Sequence, residues 1–125
     1  MDVIDCIDNN LFLKKIFPEG IKNFLIGQFS LDQGQFTLKI HTRLKPAVET
    51  AKWGTWGKNY DVIVFEMIGV GIREVEINNW NGFDFAEATC SRQGNNLLIE
   101  LSGIDWSFTL SCVALTYQRG STYIG

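Results

Sequence analysis

The chain has 125 residues and a mass of 14.2 kDa, which is the size of one domain with a single hydrophobic core. A mean hydropathy of +0.02 and 20% charged residues exclude a disordered chain, and no apolar run approaches the ~20 residues that cross a bilayer. Three widely spaced cysteines fit neither a disulfide framework nor a zinc site. We therefore expect a single domain over residues 1–125, with reduced thiols and a cytoplasmic location.

The net charge of −3 is unevenly divided along the chain. Residues 1–62 hold eight Lys/Arg and seven Asp/Glu, whereas residues 63–125 hold three Lys/Arg and seven Asp/Glu. An acidic C-terminal half favours a partner that is basic where it meets this half. The alternative is that these acids are only the solvated side chains of strand faces.

The N-terminal segment carries the one helix that the sequence predicts. Apolar residues recur at helical spacing over residues 2–17, with acids at the start and lysines at the end. Asn9-Asn10 allows a break into two short pieces, and Pro18 and Gly20 end the helix. Acids without a basic region at the start of the chain also predict that no signal peptide is present.

Short turn signals divide the rest of the chain into runs of strand length. These signals are residues 32–34, 69–71, 81–82, 93–95, 102–103 and 119–120. The strands that they delimit are residues 22–31, 35–43, 60–68, 72–78, 83–91, 96–102 and 104–118. We expect a mostly β (α+β) fold of antiparallel sheets with about seven or eight strands. Both a sandwich and an open barrel fit this pattern.

Three details of this pattern concern the path of the chain. Gly-x-Gly at residues 69–71 predicts a hairpin turn. Residues 83–91 shift their apolar phase near Ala88, which predicts a bulge. Residues 104–118 begin with Ile104, and alternation places this side chain on the inward face.

Catalytic patterns are absent from the sequence. His41 is the only histidine, and alternation places it on an outward face beside Lys39 and Arg43. Any Ser/His/Asp or Cys/His machinery would need this side chain, and no P-loop or Rossmann pattern occurs. We expect a protein that is not an enzyme and that uses neither a metal nor a cofactor.

Glu66 lies within the apolar run 60–68, which indicates a central strand buried on both faces or covered outside by the N-terminal helix. A buried carboxylate must be paired or protonated, because burying it alone costs several kcal/mol. Arg73, across the expected 69–71 hairpin, is a suitable partner. The alternative is an enzyme that uses Glu66 as its acid.

Exposed acids and tryptophans are the candidate partner-binding residues. Glu74 and Glu76 face outward on strand 72–78, opposite Val75 and Ile77, and supply negative charge. Aromatic side chains in turns are good anchors for a protein partner. The candidate residues are Glu74, Glu76, Trp80, Asp84, Trp53 and Trp56.

Trp53 and Trp56 also support a second hypothesis. They lie in the long connection 43–59 among basic residues, as in a platform that stacks a sugar or a nucleic-acid base. The acidic balance of the whole chain disfavours nucleic acid. A third possibility is that both rings cap the open end of a β core.

The order of these segments resembles one family. The shared features are a loop that ends in Lys52-Trp53, the strand 60–68, the Glu-x-Glu-Ile strand at 74–77, and Trp80 at the end of that strand. This order resembles the bacterial immunity protein 50 family of polymorphic toxin systems. The similarity covers residues 10–118 and carries over no residue roles.

This resemblance implies a small cytoplasmic bacterial protein that is encoded beside a secreted toxin. Such a protein binds and neutralises its cognate toxin without catalysis. Because many toxin domains of these systems are basic nucleases, an acidic surface suits the role. From the sequence itself we expect no membrane partner, and an exposed strand edge is compatible with either a monomer or a homodimer.

Overall fold

The protein is described here by a computed structural model that covers residues 1–125 and is mostly β. The ten strands are β1 (Ile7–Asp8), β2 (Asn23–Asp32), β3 (Gln35–Thr42), β4 (Val62–Val70), β5 (Glu74–Asn78), β6 (Ala86–Glu87), β7 (Thr89–Gln93), β8 (Asn96–Ser102), β9 (Ser107–Cys112) and β10 (Ala114–Tyr123). The helical segments are α1 (Leu11–Ile16) and the 3-10 turns Val3–Cys6, Ala51–Trp53 and Trp80–Gly82. None of these helical segments has the length and apolar character that a membrane crossing requires.

The strands form two sheets. A curled six-stranded sheet has the order β1-β10-β4-β3-β2-β6, and a four-stranded sheet has the order β5-β9-β8-β7. The antiparallel pairing expected from the sequence is confirmed throughout except for β1, which pairs parallel to β10. The mostly β class is therefore confirmed. The sequence did not predict that the six-stranded sheet would contain both parallel and antiparallel pairs.

One hydrophobic core joins both sheets and the N-terminal segment. A cluster of 27 buried residues includes Leu13 of α1, Leu38 of β3, Phe65 of β4, Ile99 of β8 and Phe108 of β9. In β3, β8 and β9 these side chains alternate with more exposed ones, because successive residues point to opposite faces. β4 differs, since Val62 to Phe65 are all buried. Each such buried side chain stabilises the fold by roughly 1.5–3 kcal/mol.

The expected hairpin at residues 69–71 is wrong. β4 does not pair with β5; the chain instead bends at Gly71, with φ +70°, and passes from the six-stranded sheet into the four-stranded one. Gly69 lies within β4 directly under the Phe36 ring. Gly71 thus allows the bend, and Gly69 allows the close contact with Phe36; neither forms a hairpin turn. Residues 119–120 likewise lie within β10, next to a register shift, and do not form a turn.

The predicted N-terminal helix is mostly wrong. Only six residues form α1, because Asn9 adopts a left-handed conformation (φ 61°) and ends a separate 3-10 turn and strand β1. The segment does not cover the outer face of β4. Phe17, just after α1, contacts Phe65 edge to face at 5.8 Å within the core.

Breaks in two expected strands, together with the added strand β1, raise the strand number from seven to ten. Residues 83–91 give only β6 and β7, separated at Ala88, whose N–H donates to the Lys22 carbonyl at 3.0 Å. The predicted bulge is instead a break between two strands, which lets β6 pair with β2 while β7 pairs with β8. Residues 104–118 divide at Val113, and Ile104 is fully exposed in the preceding turn, so its inward assignment is wrong.

All three cysteines are free and buried. Cys112, on the inward face of β9, is fully buried, as its alternation with polar residues predicts. Burial raises the pKa of Cys112 to about 11, so this thiol stays protonated at neutral pH. It acts as a small apolar side chain of the core.

Gly69→Ala should destabilise the fold by about 1–3 kcal/mol, because the added methyl group would overlap the buried Phe36 ring. Urea denaturation of the two proteins measures the difference. Gly94→Asn is the matched control, since that site is open and Asn tolerates its positive φ. An equally stable Gly69→Ala protein would show that the ring does not lie over β4.

Candidate functional site

The outer face of the four-stranded sheet carries three glutamates and no Lys or Arg. We call this surface the acidic face. Its residues are Glu74, Glu76 and Asn78 of β5, Ser107, Thr109 and Ser111 of β9, Leu98, Glu100 and Ser102 of β8, and Thr89, Ser91 and Gln93 of β7. The short Ser and Thr side chains between the acids leave the carboxylates exposed to solvent.

Strand register places the acids in rows. Glu74 lies opposite Ser111, and Glu76 lies opposite Thr109, which in turn lies opposite Glu100. Two strand spacings, about 10 Å, separate the backbones of Glu76 and Glu100, whereas Glu74 and Glu76 are about 7 Å apart along β5. The sequence prediction included Glu74 and Glu76 and missed Glu100. The signal was present, because the inward alternation of β8 requires Glu100 to face outward.

A further acid borders the same face. Glu87 of β6 lines an open depression of about 280 Å³ together with Glu100 and the hydroxyl-bearing Thr89, Ser107 and Thr109. No cationic side chain lines this depression. The electrostatic potential over this half of the surface is therefore negative.

β5 forms one edge of the four-stranded sheet and pairs only with β9. Glu74 and Glu76 are exposed, as predicted. Ile77 lies on the inward side as predicted, opposite the fully buried Phe108. It is nevertheless 40% exposed, so the prediction that it is buried is wrong. Val75 is half-buried. The apolar side of β5 thus reaches beyond the core that the other strands cover.

Trp80 lies at the end of β5, where Asn79 adopts a left-handed conformation and turns the chain. Trp80 is 40% exposed, and its ring packs at a tilt against Phe83, with the ring centroids 4.8 Å apart. Phe83 packs in the same tilted way against the buried Trp106, at 4.7 Å. This ladder of three rings connects an exposed aromatic side chain to the core. Trp80 therefore presents a partly exposed apolar surface next to β5, held in place by two further rings.

Asp84 is not part of the acidic face. Its Oδ1 accepts a hydrogen bond from the Phe85 N–H at 2.8 Å. The Phe85 ring lies 3.8 Å from the guanidinium of Arg43, which is a cation–π contact. Asp84 therefore lies outside the four-stranded sheet, next in sequence to a residue that contacts a cation.

Trp53 and Trp56 lie apart from the other predicted residues. Trp53 is only 8% exposed and contacts Phe12 at 5.7 Å and Tyr60 at 6.1 Å, while Trp56 contacts Tyr60 at 5.4 Å. Nine residues of β4, roughly 30 Å of extended chain, separate this cluster from β5. The expected stacking platform is wrong for Trp53, because its ring belongs to the core as a cap.

Glu66 is held by two cations, neither of which is the expected Arg73. Register across β3, β4 and β10 aligns Lys39, Glu66 and Arg119, with nitrogen–oxygen distances of 3.6 Å to Lys39 and 3.1 Å to Arg119. The Glu66 side chain is 19% exposed, and it lines none of the five cavities. The geometry supports a structural ion pair on the outer face of the six-stranded sheet.

His41 lies on the same outer face. Its Nδ1 is 2.7 Å from the Tyr123 hydroxyl, and its ring lies over Gly27. Burial, and then the positive charge of Lys39, lowers the pKa of His41. The ring is therefore neutral at pH 7, so that Nδ1 can accept the hydrogen bond from Tyr123.

The largest cavity, about 550 Å³, lies between the α1–β2 connection and the end of β3. Its charged residues are Glu19, Lys22 and Arg43, so both signs are present. It contains neither histidine nor cysteine. No group of three or more His, Cys, Asp or Glu side chains in the structure is close enough to hold a metal ion.

No protein-family model, no curated protein and no solved structure matches this chain. The resemblance to the immunity protein 50 family therefore stays a prediction. The geometry of the acidic face and of β5 is the basis for the functional inference.

Trp53→Ala should destabilise the fold by about 3–5 kcal/mol, whereas Trp80→Ala should cost roughly 1 kcal/mol. The reason is that Trp53 is buried against Phe12 and Tyr60 while the Trp80 ring is partly in water. Urea denaturation followed by circular dichroism measures both values. Similar losses in the two variants would contradict the assignment of Trp53 to the core.

His41→Gln should weaken the dependence of stability on acidic pH. Because folding lowers the pKa of His41 from 6.5, the neutral ring stabilises the fold above about pH 6.5, and this contribution is lost as the pH falls through and below that value. Urea midpoints between about pH 7.5 and about pH 5 should therefore fall further in the unmodified protein than in the variant. Parallel declines would show that His41 makes no such contribution.

Proposed function

We propose that this protein is an immunity-type protein that binds a cognate bacterial toxin through its acidic face and neutralises it without catalysis. The toxin domain would be basic where it makes contact, as a nuclease is. In this proposal the protein acts in the cytoplasm as a stoichiometric inhibitor. The carboxylates complement the charge of the toxin, and Trp80 anchors the edge of the contact.

The observation that carries the proposal is the separation of charge on the surface. The acidic face bears Glu74, Glu76 and Glu100 without a single cation, and Glu87 borders it. Complementary charge of this kind raises the rate of encounter and rejects acidic competitors. It also opposes the basic groups with which a nuclease holds its substrate.

The shape of the surface supports a macromolecular partner. A sheet face is broad and flat, and its depression of about 280 Å³ is open to solvent. Protein–protein contacts bury about 800 Å² on each partner, which is roughly an eighth of the 6880 Å² that this protein exposes. The exposed Trp80 adds the aromatic component that such contacts favour.

Neutralising the acidic face should abolish protection. The variant Glu74→Gln/Glu76→Gln/Glu100→Gln should bind the toxin domain encoded by the neighbouring gene at least about tenfold more weakly, since three favourable charges are removed. Co-expression in bacteria, followed by measurements of growth and of co-purification, tests this. Binding by the unmodified protein should also weaken between about 0.05 M and about 0.5 M salt.

The matched control removes three acids elsewhere. Asp8→Asn/Glu19→Gln/Asp32→Asn changes the net charge equally but leaves the acidic face intact, and this variant should protect as the unmodified protein does. Failure of the unmodified protein to rescue growth or to co-purify with the toxin domain would overturn the immunity function. Equal loss in both variants would overturn the assignment to the acidic face.

A further inference from the structure

β5 is an open strand edge. The opposite edge of its sheet, β7, is covered by the Val3–Cys6 turn and by the N-terminal amine, which donates to the Cys90 carbonyl at 3.4 Å. The edge of β10 is covered by β1, by the Asn9 amide, which donates to the Tyr117 carbonyl at 3.3 Å, and by the Trp53 ring. β5 has a strand on one side only. About half of its backbone N–H and C=O groups therefore point away from β9, toward solvent.

The two faces of β5 differ in chemistry. Glu74 and Glu76 point to the acidic face, and Val75 and Ile77 point to the core side. Ile77 is 40% exposed because the core ends at this edge. A strand added beside β5 would cover this apolar row and would satisfy the free backbone groups at the same time.

The charges of β5 disfavour a second copy of the chain as the occupant. If two β5 strands paired antiparallel about Glu76, the two Glu76 carboxylates would lie side by side. A parallel pair would place each glutamate beside its own counterpart. Like charges directly opposite one another destabilise a strand pair, and charged edges are a known means of preventing self-association. A strand with basic side chains beside Glu74 and Glu76 is therefore favoured over a second copy of the chain.

We propose that β5 accepts an extended segment of the partner protein as a fifth strand, and that basic and apolar residues alternate in this segment. Its Lys or Arg side chains would lie beside Glu74 and Glu76, and its apolar side chains would lie beside Val75 and Ile77. The proposal rests on the proposed function and specifies how the toxin docks. The contact spans five residues, about 17 Å, and ends at Trp80, whose exposed ring extends the apolar row.

A synthetic peptide tests this mode of binding without the toxin. The probe is acetyl-Thr-Lys-Val-Lys-Val-Lys-Thr-amide, titrated into the full-length protein labelled with ¹⁵N. Saturable changes in amide chemical shift should concentrate at residues 74–78. Two further peptides carry N-methyl groups on the valines or on the lysines. Because a strand pairs through alternate N–H groups, one of the two should bind at least about tenfold more weakly than the other.

Charge reversal on the protein supplies the matched comparison. Glu74→Lys/Glu76→Lys should weaken binding of the lysine peptide at least about tenfold, because two attractive cross-strand pairs become repulsive. Glu87→Lys/Glu100→Lys makes the same change in charge away from the edge and should weaken binding less than about threefold. A peptide with Glu in place of Lys should bind the first variant, which would also show that this variant is folded.

Several results would overturn the proposal. One is that the lysine peptide does not bind, or that its chemical-shift changes spread over the whole acidic face. Another is that the two charge-reversed variants weaken peptide binding equally, or that both N-methylated peptides bind equally well. Co-purification with the toxin tests the proposed function separately from the peptide experiments. If Glu76→Lys and Glu100→Lys weaken toxin binding equally, the immunity function is retained and strand addition is excluded. If the peptide binds at β5 but the toxin does not bind the protein, strand addition at β5 is supported and the immunity function is overturned.

Discussion

The two sheets depend on one pair of strands that runs through both. β4 and β10 pair in the six-stranded sheet, and their continuations β5 and β9 pair in the four-stranded one. At the bend, the Val113 N–H donates to the carbonyls of Val70 and Gly71, both at 3.1 Å, and the Val113 side chain packs against Gly71. Backbone groups therefore stay paired where the direction changes, and a side chain at residue 71 would be obstructed. Without this bend the inner faces of the sheets would not enclose one core.

The same bend determines which surfaces are available. It places β5 at one end of its sheet, while β7 at the other end receives the N-terminal segment, and β10 receives β1 and the Trp53 ring. It also separates charges. Lys39 and Arg119 pair with Glu66 on the six-stranded sheet, and Lys22 pairs with Asp2 at 3.0 Å. The carboxylates of the four-stranded sheet are left without cations, which gives this half its negative potential.

Both proposals draw on this single region. A broad acidic sheet face favours a basic macromolecule over a small ligand, and the free edge of β5 adds backbone hydrogen bonds that are independent of side-chain charge. Charge would govern the rate of encounter and the choice of partner, while the edge and Trp80 would govern how long the complex persists. Glu74 and Glu76 belong to both the face and the edge, so they discourage self-pairing as well as attract a basic strand.

Alternation in the sequence alone determined the mostly β class, the β2–β3 hairpin, the inward row of β8 and the outward direction of Glu74 and Glu76, because side-chain direction along a strand follows a period of two. Pairing partners were decided only by the tertiary structure. The Gly-x-Gly at 69–71 is locally compatible with a reversal or a bend, and distant packing against Phe36 and Val113 selected the bend. For the same reason Glu66 took Lys39 and Arg119 rather than Arg73, and Trp53 entered the core. Local spacing describes one strand at a time, whereas ion pairs, edges and exposed faces depend on which strands become neighbours.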